Sequence, residues 1–244
     1  MAVKKQVKTR VLRASARTST SHAILLAALL LAATGLAQQP SAQEILREAR
    51  LSQNGQHRVL KGRLRHAASV IPFRLAMDGD EISYTFSDPE QTLRLRFGEK
   101  GSRLEEITHK GVERVMPARF DQAVRDTDIG YEDLTLHFLY WPDAVVLGED
   151  SQLTRRCWKL RLRPPARKDS QYGVIDVWIE QESGALLQAD AYDREGKMAK
   201  RFKVVSAQKL EGAWLLKQMR IESFNAGKPR GGPPTYLEIQ GIEK

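Results

Sequence analysis

Catalysis, metal binding and nucleophilic attack each need particular side chains at particular spacings. The five histidines, His22, His57, His66, His109 and His137, are the first place to look for them. None lies in H-E-x-x-H, where one helical turn points two imidazoles at a single zinc ion. The serine elbow G-x-S-x-G, the phosphate-cradling P-loop and the dinucleotide-binding G-x-G-x-x-G do not occur. Asp126, Asp128, Glu132 and Asp133 resemble a calcium loop at first sight. Gly130, however, stands fifth in that run where the turn needs glycine sixth, and the twelfth position is His137 in place of a glutamate. The four acids read instead as N-terminal charges and a cap for a following helix, whose dipole favours negative groups. Glu105 and Glu106 are neighbours on a strand, so their side chains point to opposite faces and make a poor acid–base pair. Cys157 has Arg155, Arg156 and Lys159 beside it, which could lower a thiol pKa. With no His or Asn partner to place near it, it reads as a lone thiol within a strand. Trp158, Trp178 and Trp214 lie on strands, apart from any Lys/Arg-aromatic platform for nucleic acid. No catalytic residue, metal, cofactor or nucleic-acid partner is expected.

The elements that would carry these residues begin with a helix. Ser41 and Glu44 form a capping box, and Ile45, Leu46, Ala49 and Leu51 make one apolar face before the Asn54-Gly55 stop. The period then changes from 3.6 to 2. Leu60, Gly62 and Leu64 alternate with basic residues, and Ile71, Phe73, Leu75 and Met77 continue the pattern up to the Asp78-Gly79-Asp80 hairpin signal. Ile82, Tyr84 and Phe86 follow, then Asp88-Pro89, then Leu93, Leu95 and Phe97, with weaker strands near 103–108 and 112–116. Residues 119–141 break the alternation. Leu134, Phe138 and Trp141 fall at i, i+4 and i+7, which predicts a helix over 131–140, with a shorter helical turn around 120–125. Strands resume with Trp158, Leu160 and Leu162, then Ile175, Val177 and Ile179, then runs near 185–193, 198–206, 214–224 and 235–242. Gly227 to Pro234 reads as a loop. The count is roughly ten strands against two or three helices.

Composition sets the outer limits. The chain has 244 residues, 41% hydrophobic and 28% charged, a usual globular mix. One cysteine excludes an intrachain disulfide framework. The formal charge of +9 is concentrated at the start. Residues 1–37 carry Lys4, Lys5, Lys8, Arg10, Arg13 and Arg17, no acid, an apolar run from Ala23 to Ala33, and then Gly35-Leu36-Ala37. This is the pattern of a secretory signal, too short for a spanning helix, with cleavage expected before Gln38. An uncleaved anchor is the alternative. Residues 38–43 would be a short leader, and 44–244 one domain.

Strands with one apolar and one charged face describe an antiparallel sheet with one side in water. Two such sheets can pack as a sandwich; one long sheet can also curl. A curled sheet with so few helices would leave an apolar pocket on its concave side, a natural place for an acyl chain. Phe73, Leu75, Leu95, Trp158, Leu160 and Val177 alternate with mostly charged neighbours and are placed on that concave face. Leu134 and Phe138 would form a lid over it.

Five stretches make the C-terminal half recognisable: Gly130-Tyr131-Glu132-Asp133-Leu134, Cys157-Trp158-Lys159-Leu160, Tyr172 to Ile179 around Val177-Trp178-Ile179, Leu186 to Asp193 followed by Gly196-Lys197, and Trp214 to Met219. In this order they resemble the bacterial outer membrane lipoprotein-sorting protein family, relatives of the periplasmic carrier LolA. The resemblance implies a mainly β fold, an incomplete and strongly curved antiparallel barrel with a few helices covering its concave face. It implies a periplasmic, monomeric, non-enzymatic carrier that binds acyl chains of lipoproteins or lipids and is served by an inner-membrane transporter. The alternatives are an envelope-stress module on the same fold that binds a membrane regulator, and an esterase-type hydrolase.

Overall fold

Alternation of apolar and charged side chains from His57 onward resolves into one antiparallel sheet. A computed structural model describes residues 39–53, 57–98 and 101–243. The expected signal over 1–37 and the Asn54-Gly55 stop lie outside these residues. The strands are β1 (His57–His66), β2 (Ser69–Asp78), β3 (Glu81–Ser87), β4 (Glu90–Gly98), β5 (Gly101–Thr108), β6 (Gly111–Arg114), β7 (Asp143–Gln152), β8 (Arg155–Arg163), β9 (Val174–Glu180), β10 (Leu186–Tyr192), β11 (Met198–Leu210), β12 (Ala213–Asn225), β13 (Lys228–Pro229) and β14 (Thr235–Ile242). Their order is β6-β5-β4-β3-β2-β1-β14-β12-β11-β10-β9-β8-β7, with β13 paired only to β12. Two meanders therefore run in opposite directions, and β14 joins them by pairing with both β1 and β12. The sheet is open, with β6 and β7 as its edges.

The sheet curls because its ladders are repeatedly broken by bulges, which bend and twist a strand. Register shifts fall at Lys61/Gly62, Val146/Gly148, Leu186/Gln188, Ala191/Tyr192, Val204/Ser206 and Ser206/Ala207. At the first of these the side chain is missing for a reason. A Cβ on Gly62 would stand 2.3 Å from the Phe73 ring across the strand pair, so the ring occupies the space that glycine leaves.

The concave side carries two apolar cores. One gathers Leu60, Leu64, Phe73, Phe86, Leu93 and Leu95 under β1–β5; the other gathers Leu160, Leu162, Ile175, Val177 and Ile179 under β8 and β9. Helix α1 (Ala42–Gln53) closes the second core. Its capping box is present: Glu44 Oε2 accepts from Ser41 N at 2.8 Å, and Ser41 Oγ accepts from Glu44 N at 3.3 Å. Ile45, Leu46 and Ala49 are buried as expected, but Leu51 is 64% exposed, turned off the apolar face.

The helix predicted over 131–140 is two pieces. Helix α2 (Tyr131–Thr135) stops where Leu136 turns left-handed (φ 45°), and a 3-10 turn follows over His137–Tyr140. The break sends the anticipated stripe to different places: Leu134 joins the first core, Phe138 and Trp141 the second. The helical turn expected near 120–125 is a 3-10 turn at Pro117–Arg119. Strand β7 carried no sequence signal, because Ala144 to Leu147 is a continuous apolar run on an edge strand, with Val145 and Leu147 exposed.

Candidate functional site

The seam between the two cores is not filled. A cavity of about 350 Å³ opens there, within the roughly 300–1,000 Å³ of small-molecule sites. Leu60, Leu75 and Leu237 line it from the first core, Phe138 and Ala189 from the second, and Phe202 touches both cores. The long β11–β12 hairpin supplies a further side through Val204, Leu216 and Met219. Trp214, on the same hairpin, also faces the cavity yet is 72% exposed, so it marks the mouth.

One wall is α2, and its position is held by charge. All five of its residues are buried, and the first three are each tied to a different part of the chain. Tyr131 donates from its hydroxyl to Glu106 of β5 at 3.2 Å, and Glu106 also receives Arg119 at 2.6 Å. Glu132 accepts the Gln171 N–H at 3.0 Å. Burial pushes the Glu132 carboxyl up to about 7, although bonds from Ser170 and Gln171 act in the opposite direction. Asp133 receives Lys200 Nζ and the Gly130 N–H on Oδ2 and the Tyr172 hydroxyl on Oδ1, all at 2.6 Å. The expected cap is therefore real, through the Gly130 N–H, but the acids are interior groups. Asp128 goes elsewhere, accepting the Thr235 hydroxyl at 3.0 Å, with His66 Nδ1 at 3.5 Å.

Three of the eight residues placed at the site, Leu75 by alternation and Leu134 and Phe138 by helical spacing, come together on the cavity. Phe73 and Leu95 are packed in the first core, Leu160 and Val177 in the second, and Trp158 is partly buried against the second. Residues that the sequence reading did not place at the site complete the lining, among them Met77 and Tyr84 from the alternating rows, and Phe202, Leu216 and Met219.

Cys157 is fully buried, and burial raises its thiol pKa. Its basic neighbours are engaged: Arg155 with Glu180 and Glu182, Arg156 with Glu149, and Lys159 over the Trp178 ring. His137 is half-buried beside Ser102, and burial lowers its pKa. Among the described residues, no helix is long and apolar enough to cross a membrane.

A family model described as an uncharacterized protein matches residues 108–243, more than half of the chain. The chain belongs to that family. The match takes in the C-terminal strand meander and α2, so the family's shared segment carries much of the cavity wall. Solved structures of low sequence identity share the fold. An outer membrane lipoprotein-sorting protein domain from Vibrio parahaemolyticus aligns with a TM-score of 0.64 at 16% identity, over 83% of this chain and 91% of that one. A LolA superfamily protein from Nitrosomonas europaea aligns at 0.60 and 13% identity, over 84% and 94%. A DUF1329 family protein from Desulfovibrio piger aligns at 0.61 and 16%, over 84% and 93%. At these identities the likeness is one of fold. The Sigma-E factor regulatory protein RseB of Haemophilus influenzae is 39% identical over 64 residues, which are 26% of this chain and 19% of that protein.

Proposed function

We propose that this protein is a periplasmic carrier that takes acyl chains of lipoproteins or lipids into the cavity by reversible partition. The observation that supports the reading most is an apolar cavity with an accessible mouth in a fold of the lipoprotein-sorting type. Each CH₂ moved from water onto such walls contributes about 0.8 kcal/mol, so one chain is held without covalent chemistry. Release then needs a membrane or partner that competes for the chain, an inner-membrane transporter being the donor that fits. The basic start and the Ala23–Ala33 run support export, with the mature chain beginning near Gln38 and working as a monomer; N-terminal sequencing tests the cut.

The decisive experiment is native mass spectrometry of protein purified from a periplasmic extract, followed by lipid extraction. Acyl lipids should be retained by the native chain and lost on Leu216→Trp, which fills the cavity from β12. The likeness to RseB favours a second reading, a stress-signalling module that binds a membrane regulator. A co-purifying protein with no lipid in the cavity would favour that second reading. Turnover of ester substrates would favour a hydrolase.

A further inference from the structure

The inward residues of β3 are Ile82, Tyr84 and Phe86. Ile82 and Phe86 are buried, at 9% and 1% exposure, whereas Tyr84 between them stays partly accessible because the cavity lies over it. Its ring is fixed. It packs 5.8 Å from the Phe73 ring and stands across from Leu75 on one side and Leu93 on the other. Its hydroxyl has no hydrogen-bond partner among the described residues. The other polar groups on the wall are accounted for: Asp133 is taken up by Lys200, Tyr172 and Gly130, and the Trp214 indole sits at the exposed mouth.

We infer that the Tyr84 hydroxyl orients the ligand, donating a hydrogen bond to the carbonyl oxygen of an ester- or amide-linked acyl chain whose hydrocarbon lies along the apolar wall. The inference rests on the carrier reading and narrows its ligand class. A phenol aimed at an acyl chain has one useful partner, an acceptor near the chain's head. Burial pushes the Tyr84 pKa up to about 12, so the group keeps its proton, and with it its donor role, at neutral pH. The acceptor should be neutral. Among the described residues a free fatty acid anion would meet no unpaired cation on this wall, since Lys200 is committed to Asp133, and its buried carboxylate would be left without a partner. An alkane would leave the hydroxyl unmatched.

Displacement of a hydrophobic fluorescent probe by dodecane, methyl dodecanoate and dodecanoate tests this on the full chain and on Tyr84→Phe. In the native chain the methyl ester should displace the probe at the lowest concentration. Tyr84→Phe should weaken the ester by about three- to tenfold, leave dodecane unchanged and so erase the ester's advantage. Circular dichroism and the probe's own affinity report whether the variant is folded. An ester affinity that does not change, or equal weakening of ester and alkane, would overturn the role of the hydroxyl. Dodecanoate binding as tightly as the ester would overturn the preference for a neutral head. If none of the three displaces the probe from the native chain, the carrier reading itself falls, and the inference with it.

Discussion

Glu132 is the residue whose environment differs most from what its neighbours in the sequence suggest. A glutamate at the start of a helix is ordinarily a solvated charge; this one is buried, and its carboxyl is pushed up to about 7. A folded pKa above the usual value means that the fold prefers the proton. That contribution is complete below the ordinary carboxylate range and is lost as pH rises through about 7. Glu132→Gln keeps a side-chain acceptor for the Gln171 N–H and removes the ionisation. It should stabilise the protein by about 2–3 kcal/mol at pH 8 and change little at pH 4, as read by urea unfolding at both pH values. An equal difference at both would show that packing is responsible. Glu105, Glu106 and Glu238 act in the opposite sense. Burial alone would raise them, but bonds from Arg94 and Arg103, from Arg119 and from Arg63 hold all three below the usual range. Their contribution is present above that range and lost on acidification. Stability should therefore peak between about pH 5 and 7.

Among the elements, β1 and β2 show how a strand is shaped by a residue that it lacks. Gly62 continues the inward row of Leu60 and Leu64 and lets the Phe73 ring lie where its own side chain would be. A methyl group there meets the ring at 2.3 Å and the Glu238 carbonyl at 2.9 Å. Gly62→Ala should cost about 1–3 kcal/mol. Phe73→Leu in the same chain should recover part of that loss, and a double-mutant cycle measures the coupling. Full additivity would mean that the ring does not fill the glycine's space. Helix α2 makes the converse point. It is too short to be stable alone, and Tyr131, Glu132 and Asp133 hold it through β5, the β8–β9 loop and β11.

For the whole molecule, the open sheet matters more than any one strand. Its edges β6 and β7 do not pair, the chain between them covers only part of the concave side, and the two cores leave a void where they meet. The hairpin that ends in Trp214 carries the apolar surface from that void out to solvent. Because Trp214 is mostly exposed, Trp214→Ala should change unfolding free energy by no more than about 0.5 kcal/mol. It should nonetheless slow uptake of a hydrophobic probe in stopped-flow mixing, since the chain would lose its first apolar contact at the mouth. Unchanged uptake would place the entrance elsewhere.

Sequence alone specifies the strands from β1 to β6, from β8 to β12 and β14, the capped helix α1 and the division into a charged and an apolar face. Those features depend on period, caps and turns, which act between residues a few positions apart. The other features depend on contacts between segments far apart in the chain. Alternation marks Phe73, Leu75, Leu95 and Tyr84 alike as inward-facing, but which of them borders the void depends on strand register and bulges set by partners across the sheet. The same holds for the break at Leu136. Spacing alone favoured one continuous stripe, yet Leu134 and Phe138 serve two cores, and a straight helix would carry both on the same face. Burial of Cys157 and Glu132 is likewise a property of what packs over them, and no residue beside them in the chain encodes it.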